Sequence, residues 1–125
     1  MRYVIVTSVV LIIIGCSDFG ETVSSDEPKV PVNIQNIFDD NCIVCHGTSG
    51  GMSLAELVSF DNLVNADANG YNAVRVFPGN PDSSVLWNKI TNTGRFGQQM
   101  PPGNALSFEL KIDLFNWITD SAFQR

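Results

Sequence analysis

Apolar and polar positions divide the chain into a leader, a polar stretch and a patterned remainder. From Tyr3 to Ile14 every residue is apolar except Thr7 and Ser8, directly after the cation Arg2. A bilayer span needs about 20 apolar residues, so this run reads as the n-region and h-region of a secretory signal over residues 1–15. Residues 16–31 are polar and acidic, with Pro28 and Pro31 and few large apolar groups, which predicts a flexible tether. Fully extended, such a segment reaches about 50 Å.

From residue 32 to 125 the pattern predicts one domain of helices separated by loops rich in Gly, Asn and Pro. "VNIQNIFDDNCIVCH" carries Val32, Ile34, Ile37 and Phe38 and predicts a short helix running into a cysteine motif. "SLAELVSFDNLVN" has Leu54, Leu57, Val58 and Leu63 at mixed spacing and predicts a partly helical segment. "NPDSSVLWNKIT" offers Asn80 as N-cap, Pro81 at the first helical position and Asp82 in the first turn, with Val85, Leu86 and Ile90 to bury. In "LSFELKIDLFNWITDSAF", Ser107 caps, Glu109 favours the positive helix end, and Leu110, Leu114, Trp117 and Ile118 form one stripe. No run alternates as a strand does, so the fold class expected is all-α. Helices this short make a thin core for about 90 residues, and a large apolar cofactor would fill it out.

The three cysteines carry the chemistry. Cys16 follows "IIG" at the end of the leader, and "IIGC" resembles the lipobox of bacterial lipoproteins, which implies lipidation of Cys16 and membrane anchoring after export. Removing the leader leaves 6 Lys and Arg against 13 Asp and Glu, a net charge near −7. Such a surface argues against nucleic acid or anionic lipid surfaces as partners, and suits a protein partner with a basic docking patch.

Cys42 and Cys45 stand in "CIVCH", with His46, the one histidine of the chain, next to the second cysteine. A structural zinc site wants four ligands, and a fourth would have to be an isolated carboxylate. A thioredoxin-like thiol pair opens a helix after a strand, and no strand is predicted before Cys42. A disulfide would close a very short loop. Covalent haem attachment uses every residue: two thioethers from Cys42 and Cys45, and axial ligation of iron by His46.

With no second histidine, the opposite axial position falls to methionine, to a weaker donor, or stays open. Met52 is six residues past His46, close for a side chain that must reach the far face. Met100, in "QQMPPGN", is 54 residues past it, and Pro101 and Pro102 exclude helix there and favour a rigid extended loop. Met100 is the expected ligand and Met52 the alternative. Arg75 and Arg95 are candidates for the haem propionates. Tyr71, Trp87 and Trp117 are candidate porphyrin contacts or core residues.

With "CIVCHG", "GGMSL", "FPGNPDSSVLWNKI", "QMPPGNALS" and "IDLFNWI" in hand, residues 34–122 resemble the small class I monohaem cytochromes c, especially the planctomycete-type domain. The resemblance implies a cytochrome c-like fold with crossing N- and C-terminal helices around one haem c, and His46 and Met100 as axial ligands. It implies single-electron transfer between a redox donor and acceptor, without catalytic turnover. Together with the leader this predicts an exported, lipid-anchored carrier facing the periplasm or cell surface. A haem-based peroxidase-like or ligand-sensing domain, or a fixed haem subunit of a respiratory complex, are the alternatives.

Overall fold

The computed structural model describes residues 30–121. The expected leader, the lipidation site Cys16 and most of the tether lie outside the described residues. Helix α1 spans Val32–Asn41, α2 Ile43–His46, α3 Ser59–Leu63, α4 Val85–Ile90 and α5 Phe108–Asn116. A 3-10 turn, Pro81–Ser83, precedes α4, and a π-type turn, Trp117–Ser121, extends α5. Among the described residues no strand forms, only isolated bridges between Val64 and Val76 and between Asp67 and Val74. The molecule is all-α, joined by long loops. Among the same residues no helix is long and apolar enough to cross a membrane.

Helix α1 buries Ile34, Ile37 and Phe38, the face expected from their spacing. Leu114, Trp117 and Ile118 from α5 and the turn after it meet that face, with Trp117 edge-on to Phe38 at 6.1 Å between ring centroids. Burying each such side chain is worth about 1.5–3 kcal/mol. This contact between α1 and α5, at opposite ends of the described chain, closes the fold around the loops between them.

A buried polar cluster completes the α1 side. Gln35 is 3 % exposed yet fully engaged: its amide nitrogen donates to Leu54 O at 2.9 Å and Asp39 Oδ1 at 2.8 Å. Its amide oxygen accepts from Ser59 Oγ at 2.8 Å. The cluster ties α1 to the segment entering α3, where backbone alone supplies little.

Two expected helices are shorter than their patterns. In the second segment only Ser59–Leu63 is helical; Leu54, Phe60 and Leu63 are buried, while Leu57 and Val58 are exposed. The stretch from Asn80 is broken at Ser84, which is extended. Asn80 does cap, its side chain accepting from Ser83 N at 3.0 Å, but it caps the 3-10 turn. Ser84 Oγ takes the Phe77 amide at 2.8 Å, and Val85 N and Leu86 N donate to Val74 O and Arg75 O. Because the helix restarts at Val85, these two donors fall in the first turn of α4, where no carbonyl of the helix can meet them, and the 74–75 segment accepts from them instead. The Ser107 cap forms as expected, accepting from Leu110 N at 3.3 Å.

Candidate functional site

Cys42 ends α1 with φ −126° and ψ −36°, a break that turns the chain into α2. The tight turn is held by Cys45 N and His46 N, which both donate to Cys42 O, at 3.1 and 2.8 Å. His46 O then accepts from Leu54 N at 2.6 Å, and Ser49 Oγ donates to Cys45 O at 2.8 Å. The side chains of Cys42, Cys45 and His46 are thereby kept together on one wall.

That wall belongs to a cavity of about 500 Å³. Cys42, Cys45 and His46 line one side; Leu54, Leu63, Val85, Leu86 and Ile90 supply an apolar floor; Met100, Pro101 and Pro102 lie on the loop that completes the rim. Met52 is in the same lining and packs against the core, so both methionines reach the cavity. Asn41, Asn69, Tyr71, Arg75 and Lys89 add polar groups to the lining. Cofactor sites of roughly 300–1,000 Å³, mostly apolar with a few placed polar groups, are the general pattern.

His46 has two different nitrogens here. Nδ1 is buried with no hydrogen-bond partner, while the residue as a whole belongs to the cavity lining. Burial lowers the His46 pKa below its ordinary 6.5, and the charges of Lys89 and then Arg75 lower it further. The imidazole is thus held neutral, the form that ligates a metal. Gly50, with φ +69°, backs the ring: a Cβ there would lie 2.5 Å from Nδ1. Cys42 is raised to about 11 by burial and by the neighbouring Cys45, whereas Cys45 is exposed. Among the described residues no group of three or more His, Cys, Asp or Glu could hold a bare metal ion.

These residues fit a haem: two thiols on one turn, a histidine on the wall of an apolar cavity whose surroundings favour its neutral form, and thioethers within the same lining. The family model described as Planctomycete cytochrome C matches residues 42–104. The chain belongs to this family. As a planctomycete cytochrome c it is a c-type, haem-binding protein of electron-transfer lineage. No curated protein and no solved structure matches it.

The other candidates of this cytochrome separate cleanly. Arg75 lines the cavity and donates from Nη1 to Asn62 O at 2.9 Å. Arg95 is outside the lining; it donates to Asp82 O at 3.0 Å and sits 4.9 Å over the Phe96 ring. Tyr71 is in the lining, Trp117 is in the core, and Trp87 is edge-on to Phe115 at 5.2 Å. Lys89 escaped the sequence reading. Its signal was there: Val85, Leu86, Lys89 and Ile90 form one helical stripe, and a cation on an apolar stripe marks a place where that stripe meets something polar.

Proposed function

We propose that this cytochrome carries single electrons between redox proteins through one covalently held haem, with His46 and Met100 as axial ligands. The observation that carries the reading is the common cavity lined by Cys42, Cys45, His46 and Met100. Cys42 and Cys45 would hold the haem through thioethers, and the His46 imidazole would ligate its iron. Met100 would supply the second ligand from a loop far along the chain, while Met52, in the same lining, packs against the core. Haem c, when bound, supplies a one-electron iron couple, and thioether ligation raises its potential relative to two nitrogen ligands.

The protein's part is to fix this ligand set in an apolar enclosure so that little moves when the charge changes. Val44 (91 % exposed) and Cys45 sit at the solvent side of the attachment wall, within reach of a partner surface. The cytochrome c-like fold, export with a lipid on Cys16, a tether of residues 16–31 and a periplasmic or surface location complete the proposal. The acidic balance suits a basic docking patch on donor and acceptor. The carrier turns over no substrate.

Haem staining of the purified protein on a denaturing gel tests attachment: a band is expected, and its absence ends the proposal. Met100→Ala then tests the distal ligand. The variant is expected to become high-spin and to bind carbon monoxide readily when reduced, while Met52→Leu keeps the parent spectrum. An unchanged Met100→Ala spectrum transfers the role to Met52 or to an open-site reading.

A further inference from the structure

Met100 sits in a loop, between Ile90 and Phe108, that contains no helix. Something must hold its backbone, because a thioether on a mobile loop would leave the cavity wall. Met100 N donates to Lys89 O at 3.1 Å. The other end of the same lysine reaches across the loop: Lys89 Nζ donates to Phe96 O at 2.8 Å, with a longer contact to Gln98 O at 3.5 Å. Lys89 therefore grips both sides of the segment 97–99 that leads to Met100.

A second residue meets the same carbonyl. Tyr71 Oη donates to Phe96 O at 2.6 Å, its ring is edge-on to Phe96 at 5.3 Å, and Lys89 Nζ lies 5.3 Å over the Tyr71 ring. Gly97, at φ +80°, lets the loop pass, since a Cβ there would come within 3.2 Å of Tyr71 Oη. Phe96 itself is buried against Ala68 and Val85. Lys89 and Tyr71 both line the cavity as well.

We propose that Lys89 and Tyr71 are positioning residues, a clasp on the Phe96 carbonyl that fixes Met100 at the cavity wall and sets how readily the thioether is displaced. This rests on the reading of Met100 as distal ligand. The clasp acts through the loop and not on the iron, so its signature is the opening rate of the loop.

The test is displacement of the native ligand by imidazole in the oxidised, haem-loaded full chain, at imidazole concentrations where loop opening limits the rate. A neutral hydrogen bond is worth about 1 kcal/mol net and a charged one more, so Tyr71→Phe should speed displacement about fivefold and Lys89→Met about tenfold or more. Lys89→Arg, which keeps a charged donor, should stay near the parent. Hydrogen exchange at the Met100 amide should accelerate in the same order. Should Lys89→Met fail to load haem, Tyr71→Phe, which removes a single oxygen, carries the test alone. Parent-like displacement rates and amide protection, in variants whose melting alone has dropped, would reduce the pair to ordinary structural residues and overturn the clasp. If the parent spectrum itself survives Met100→Ala, the ligand reading fails first and the clasp with it.

Discussion

Gly50 shows how one missing side chain shapes the histidine. A ligating imidazole usually donates its second N–H to a carboxylate, carbonyl or water, and this raises its basicity. Here Nδ1 is buried and has no such partner, and the Gly50 backbone fills the space beside it. Gly50→Ala adds a methyl 2.5 Å from Nδ1 at a backbone φ of +69°, so two penalties coincide. The left-handed conformation alone costs about 1–2 kcal/mol. Gly94→Ala isolates that part, since Gly94 has φ +76° with nothing within 4 Å of an added Cβ. Gly50→Ala is expected to melt lower than Gly94→Ala and, unlike it, to alter the haem absorption bands as the ring is pushed aside. Thermal melts and spectra of the two variants check this; equal losses with identical spectra would show that the contact is easily relieved. In the sequence, "CIVCH" singled out Cys42, Cys45 and His46, which the fold does bring to one cavity wall, because their spacing suits haem attachment. Nothing in it marked Gly50 among ten glycines, because the contact depends on how the loop 47–51 folds back.

Elements in this protein are short, and polar side chains do much of the joining. Gln35 links α1 to Leu54 O and Ser59 Oγ in a fully buried position. Replacing it with Ala removes the partner of the Leu54 carbonyl and leaves the Ser59 hydroxyl only its longer bond to Glu56 O at 3.3 Å, at about 1–3 kcal/mol for a group left unsatisfied. Gln35→Ala should therefore lose at least as much stability in urea as Ile37→Val, a core trimming worth about 0.5–1.5 kcal/mol. A Gln35→Ala midpoint equal to the parent's would mean water replaces the amide at no cost. Helix faces were largely marked by periodicity: α1 buries Ile34, Ile37 and Phe38 while Val32, at its first position, is exposed, and the α5 stripe buries Leu114, Trp117 and Ile118 with Leu110 half-buried. The interruption at Ser84 was not, because it depends on where Val74, Arg75 and Phe77 run, and these are partners from another segment. The same holds for α3, where Leu57 and Val58 look like core in sequence but lie in a turn that faces solvent.

Taken whole, the described chain has a helical frame on one side and a large apolar lining on the other. The α1–α5 contact and the Gln35 cluster hold the frame, but Leu54, Leu63 and Ile90 belong both to the core and to the cavity wall. The core is therefore shared with whatever the cavity holds. A domain of this size gains only a small margin from its own burial, and native stabilities of about 5–15 kcal/mol leave little to spare. A group bound by the folded state and not by the unfolded one adds its binding energy to folding. The double variant Cys42→Ala and Cys45→Ala, which cannot form thioethers, is expected to show a much lower and broader thermal transition than the attached protein, with weaker helical circular dichroism. On the proposed attachment, His46→Ala would keep both thioethers and lose one iron ligand, so it should lie between the two. Circular dichroism melts of the three proteins, purified under identical conditions, order them. A double variant that melts as cooperatively and as high as the parent would mean that the helical frame stands alone and that the cavity is only a seat for the cofactor.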